Sequence, residues 1–131
     1  MRAHDTYDYA VIRVVPRVER GEFMNVGVIV SCEKTGYLKA AVELDEARLR
    51  ALDPRVDLAT LRRHLKAMQR ICAGGPDAGP IGLLPQRARF HWLTARRSAI
   101  IQTSTVHMGR CGDMDASVEH LMDRMVRVAA A

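Results

Sequence analysis

No stretch of this 131-residue chain approaches 18 consecutive apolar residues, which excludes a hydrophobic membrane-spanning helix. The opening residues Met1, Arg2, Ala3, His4 and Asp5 lead into no long apolar core of a secretion signal, so the expectation is a cytoplasmic protein with no membrane partner. Cysteine is scarce: Cys32, Cys72 and Cys111 are odd in number and lie 40 and 39 residues apart. That excludes a fully paired disulfide framework and does not match zinc-finger spacing, leaving reduced thiols as the reading. There is no glycine-rich phosphate loop, dinucleotide fingerprint, helix-turn-helix signature, internal repeat or low-complexity tract. With none of these present, no cofactor and no metal are expected, and no motif names a reaction.

What is there suits one folded domain. The length fits a single core spanning about residues 7–128, and 48% hydrophobic against 27% charged residues argues against disorder. The net charge of +5 is unevenly placed. Residues 1–54 carry eight Lys or Arg against nine Asp or Glu, whereas residues 55–110 carry ten against two. A basic surface is therefore expected from the middle of the chain. It would attract an anionic ligand, a nucleic acid or an acidic protein, because Coulomb steering does not identify its target.

Tyr7 to Val15 (Y-D-Y-A-V-I-R-V-V) reads as a strand covered on both faces, since apolar residues occupy both parities. Pro16 ends it and a polar turn follows. A second strand runs from Phe23 or Met24 to Cys32. Strict alternation puts Met24, Val26, Val28, Val30 and Cys32 on one face and Asn25, Gly27, Ile29 and Ser31 on the other. Gly27 inside it suits a bulge or the close approach of another backbone. Glu33 to Gly36 turns the chain into Tyr37–Leu44, completing a hairpin. Asp45 to Leu52 reads as a short helix, and Asp57 caps a longer one over Leu58–Cys72, buried through Leu58, Leu61, Leu65, Met68 and Cys72. Residues 74–86 form a loop. Residues 87–98 are a short helix or irregular, with Trp92 expected in the core beside Phe90 and Leu93. Ala99–Thr103 reads as a fourth strand, residues 104–112 as a polar loop, and Ala116–Val128 as a final helix. The expected fold is α+β: an antiparallel sheet of three to four strands with helices packed mainly on one face. The last helix can pack on the sheet or exchange with a second copy in a homo-oligomer.

Two polar segments are candidate ligand sites. The first follows the opening strand, where Arg17, Glu19, Arg20 and Glu22 alternate in charge, and Asn25 with Gly27 can shape a shallow pocket. The second spans residues 96–111, with Arg97, Ser98, Gln102 and His107 as the candidate contacts, because an arginine fork with hydroxyls and glycine amides suits an anion. His107 and Cys111 also meet the bare chemical requirement for a thiol–imidazole pair or for metal ligation with Asp113, His91 or Cys32, but local architecture and apolar packing are preferred for them. For nucleic acid the candidates are Arg62, Lys66 and Arg70 along one helix, with Arg87 and Arg89 downstream.

Y-D-Y-A-V-I-R-V-V-P-R-V-E-R-G-E-F-M-N-V-G-V-I-V at residues 7–30 and F-H-W-L-T-A-R-R-S-A-I-I-Q-T-S-T-V-H-M-G-R-C at residues 90–111 together resemble the bacterial family known as domain of unknown function 3037. The resemblance implies a small bacterial cytoplasmic protein and no particular activity. Some relatives are encoded beside kinases resembling the HipA toxin, which implies an accessory or protein-binding role rather than a stand-alone enzyme. The preferred function is thus a small accessory or interaction protein with a basic surface. The alternatives are a non-specific nucleic-acid-binding protein and an uncharacterised hydrolase or nuclease centred on Glu22, Arg97 and His107.

Overall fold

The computed structural model describes residues 5–97 and 99–128. In chain order the elements are β1 (Asp5–Val14), β2 (Met24–Cys32), β3 (Tyr37–Val42), α1 (Glu46–Leu52), α2 (Leu58–Ala73), α3 (Gln86–Thr94), β4 (Ile101–Thr103), β5 (His107–Cys111) and α4 (Met114–Met125). The strands form one antiparallel sheet in the order β3-β2-β1-β4, with β5 also pairing β1. Because β2 occupies one edge of β1, β4 and β5 share the other: β5 pairs residues 5–9 and β4 pairs residues 12–14. The architecture is the expected α+β fold, with α1, α2 and α3 on one face of the sheet. Two details differ from the sequence reading. The stretch read as a polar loop contains β5, and α4 covers the opposite face of the sheet.

The two faces follow from the side-chain pattern, with one interruption. Ile12 and Val14 of β1 enter the core beneath α1–α3, while Tyr7 and Val11 enter the core beneath α4. On β2 the alternation breaks, because Ile12 pairs with Gly27 but Arg13 pairs with Asn25, leaving Val26 as an extra residue. A bulge of this kind flips the facing of everything beyond it. Met24 and Val26 therefore join Ile29 in the α1–α3 core, and Val28, Val30 and Cys32 form the floor under α4. This corrects the single face expected for all five. Gly27 sits at the bulge as its composition suggested. A Cβ there would stand 2.3 Å from the carbonyl oxygen of Ala41 on β3 and 3.2 Å from Ile12 Cδ1.

Aspartates start three of the helices. The carboxylate of Asp45 accepts from the Arg48 amide at 3.1 Å, Asp57 from the Thr60 amide at 3.1 Å and Asp113 from the Ala116 amide at 3.3 Å, each meeting a donor the first turn leaves open. Past the end of α4, Arg127 donates to Glu43 and Glu119 at 2.7 Å and to Asp123 at 2.8 Å, tying the helix to the end of β3. Those three carboxylates raise the pKa of Arg127 still further above its ordinary value. On the outer edge of β3, Gln69 of α2 donates to the Ala40 carbonyl at 3.3 Å, and Gln86 of α3 bridges β2 and β3 by donating to the Ser31 hydroxyl at 3.0 Å and the Tyr37 carbonyl at 2.9 Å. Among the described residues no helix is long and apolar enough to cross a membrane.

Two outcomes are expected. Gly27→Ala forces the β2–β3 ladder apart and lowers stability by about 1–3 kcal/mol, read as a lower urea midpoint at unchanged slope. Asp57 has its pKa lowered by the hydrogen bonds from the Thr60 hydroxyl and the Thr60 amide. A group depressed in the folded state adds stability above its unfolded value of 3.8, and that contribution disappears as pH falls through the folded value. Asp57→Asn is accordingly expected to melt at a lower temperature than the parent at pH 7, with the difference shrinking below pH 3.8.

Candidate functional site

The first polar segment folds onto itself. Arg20 Nε meets Glu22 Oε1 at 2.6 Å with both side chains exposed, beside a small cleft of about 180 Å³ that also involves Arg17 and Asp53. Asn25 lies on the α4 side, where its amide nitrogen donates to the Met125 carbonyl at 2.9 Å, so it secures the end of α4 rather than lining that cleft. In the second segment, Gln102 donates to the Ala99 carbonyl at 2.9 Å. His107 rests against the Tyr9 ring, 5.5 Å between centroids, with Thr105 Oγ1 3.4 Å from its Nε2. Ser98 lies outside the described residues. Of the three clefts described, one holds Glu22, two hold Arg97 and none holds His107.

The basic residues proposed for nucleic acid are divided in a similar way. Arg62 pairs with Glu46, and Arg87 lies 3.8 Å from Glu33. Arg89 does not contribute to such a surface: its guanidinium donates to the carbonyls of Cys72 at 2.7 Å and of Ile71 and Leu84 at 2.9 Å, closing the open end of α2. Lys66 and Arg70 remain exposed on α2. Burial pushes the Cys72 thiol up to about 12 against the opposing pull of Arg89, so it stays a neutral packing group rather than a nucleophile. Among the described residues no three His, Cys, Asp or Glu side chains gather where a metal ion would bind.

The larger hollows lie around β4. Phe90 and Leu93 bury one side of α3, and Trp92 falls on the other side, 40% exposed. This corrects the core position expected for it. Between α2, α3 and β4 opens an apolar cleft of about 610 Å³, walled by Met68, Ile71, Trp92, Leu93 and Ile101. At its rim stand Arg63, His64 and Arg97, and no acidic residue lines it. Arg97 is held in place: its guanidinium lies 4.3 Å from the centre of the Trp92 ring and donates to the Trp92 carbonyl. Such stacking desolvates one face of the guanidinium and limits its rotamers.

Arg97, Gln102 and Thr103 also border a second hollow of about 710 Å³ that contains Arg13, Arg96 and the 104–106 segment. Its inner end is set by Ser104, whose hydroxyl accepts the Val11 amide at 2.8 Å and donates to the Thr105 carbonyl at 2.9 Å. Sequence reasoning passed over Arg13, Trp92 and the β4 cleft. A signal for Arg13 was available, since it is the one charge between Tyr9 and Val15, a run otherwise apolar at both parities. For Trp92 the signal was helical spacing: Phe90 and Leu93 share a face that Trp92 does not.

No curated protein and no solved structure matches this chain. The model of the family described as "Protein of unknown function (DUF3037)" matches residues 9–126, which takes in every element except the first four residues of β1, together with the cleft and the hollow beside it. The chain therefore belongs to the DUF3037 family.

Proposed function

We propose that this is a cytoplasmic binding protein without catalytic chemistry of its own, and that it docks a protein partner at the cleft between α2, α3 and β4. The partner inserts an apolar side chain between Trp92, Leu93 and Met68, and acidic residues beside that anchor meet Arg63, His64 and Arg97. The observation that carries this reading is the cleft itself: an apolar hollow of about 610 Å³, open at an exposed tryptophan and bordered by cations with no carboxylate among its lining residues. Aromatic anchors in apolar pockets contribute disproportionately to protein association, and a rim of one sign selects a partner of the other. The unpaired, buried thiols of Cys32 and Cys72 support a reducing location. A catalytic reading has less behind it, because none of the three described clefts holds two of Glu22, Arg97 and His107. The nucleic-acid reading loses Arg89 to α2 and finds Arg62 and Arg87 beside carboxylates.

Ala67 sits on the exposed side of α2 and lines the cleft, so Ala67→Glu places a carboxylate in it without touching the core. Native mass spectrometry of protein purified from its own host is expected to find a partner on the parent chain and at least tenfold less of it on Ala67→Glu at equal melting temperature. Adding the purified partner back should shift the emission of Trp92, the chain's one tryptophan. Equal capture by both chains, capture without an emission change, or no partner on either would each overturn the docking site. Replacing Arg62, Lys66 and Arg70 together by alanine should leave capture unchanged.

A further inference from the structure

β1 carries a positive charge where a strand rarely holds one. Arg13 lies between Ile12 and Val14, both fully buried in the α1–α3 core. Strand alternation sends its side chain to the opposite face, toward the same side as α4. There its guanidinium lies over Phe23, 4.3 Å from the ring centre, and Phe23 is itself 48% exposed. Arg13 Nε is buried and has no hydrogen-bond partner among the described residues. The cross-strand neighbour Asn25 does not supply one, since its own buried Oδ1 also stands without a donor. Among the described residues no carboxylate pairs with Arg13. A guanidinium cannot shed its proton to escape this situation, so the charge of Arg13 is not neutralised by any described side chain.

The hollow that Arg13 lines contains two further guanidiniums and no acidic residue. Arg97 is fixed against Trp92, and Arg96 is exposed with no ion pair or hydrogen bond among the described residues. The three come from two elements, β1 and the segment between α3 and β4. A carboxylate presents two oxygens in a plane and satisfies a single fork, whereas a phosphate presents three charged oxygens in three directions and suits several forks approaching from different sides. We infer that the hollow lined by Arg13, Arg96 and Arg97 is a phosphate-monoester site, with the half-buried Arg13 as its inner cation and Arg96 and Arg97 as its outer ones. The phosphate belongs either to a small phosphorylated metabolite or to a phosphorylated side chain. The inference rests on Arg13 and Arg96, which line this hollow alone, while Arg97 borders the apolar cleft as well.

The test uses the full chain with ¹⁵N-labelled arginine and follows the Arg13 Nε–H resonance during titration with inorganic phosphate, with acetate at matched ionic strength as the control. The expected result is a downfield, saturable movement with a Kd on the order of 1 mM that acetate does not reproduce. Affinity should increase as pH rises through about 6–7 and the dianion forms. Arg96→Gln, at an exposed position that leaves folding intact, should raise the Kd roughly tenfold. O-phosphoserine and a phosphoserine peptide then separate the sources: tighter binding of the peptide assigns a phosphorylated side chain, and equal binding assigns a metabolite. The site is overturned if the Arg13 signal stays still, if acetate moves it equally, or if Arg96→Gln binds phosphate as tightly as the parent.

Discussion

One inserted residue, Val26, decides which way each half of β2 faces, and both cores depend on it. Without the bulge, strict alternation would send Met24 and Val26 under α4 and leave the α1–α3 core without two of its floor residues. With it, one strand serves both sides: its first half faces three helices and its second half faces one. Gly27 is what allows the bulge to close against β3, because the Ala41 carbonyl occupies the place a side chain would need. The same shift brings Arg13 and Asn25 opposite one another on the α4 side. The charge in β1 and the amide that secures α4 thus share one backbone irregularity.

A second constraint lies on the far edge of β1, where one strand receives two short ones in succession. Between them the Ser104 hydroxyl takes the Val11 amide in place of a backbone carbonyl, while the Ser104 amide donates to the Val11 carbonyl at 2.8 Å. The ladder is kept whole while the chain steps from β4 to β5. That step leaves residues 104–106 lining the arginine-rich hollow and leaves β4 only three residues long, so α2 and α3 overhang it and the apolar cleft remains open. Both hollows are by-products of the way one edge is divided.

The legible parts of the fold were those governed by near neighbours in sequence. Apolar residues at both parities identified β1, and alternation identified β2 and β3, to within a residue or two; Asp45 and Asp57 marked helix starts because a short carboxylate beside an apolar periodic run meets a local need. β5 was illegible for the opposite reason. His107, Met108, Gly109 and Arg110 have no strand pattern of their own, and they are extended because Asp5–Tyr9, some hundred residues earlier, offer a ladder. Gly109 fits there since the Tyr7 ring lies where its side chain would be. The face chosen by α4 was likewise hidden, because its apolar stripe fits either side of a sheet buried on both. Of the site residues, the sequence pointed to Arg97 and Gln102 through their polar setting. It offered no way to see that Arg20 and Glu22 would pair, or that Arg89 would turn inward to the end of α2.

The glutamine on the outer edge of β3 has a further consequence. Gln69 occupies the Ala40 carbonyl, which an added strand would need, and α2 stands behind it. No described strand pairs the other edge of the sheet, formed by β4 and β5, and Met108 there is 72% exposed. A sheet with two open edges can extend indefinitely, copy upon copy, as fibrils do. A sheet with one open edge can join only one other, and the join uses up both open edges at once. Copies of this chain that met through their sheets would form a closed two-fold pair, with no edge left to carry the assembly further.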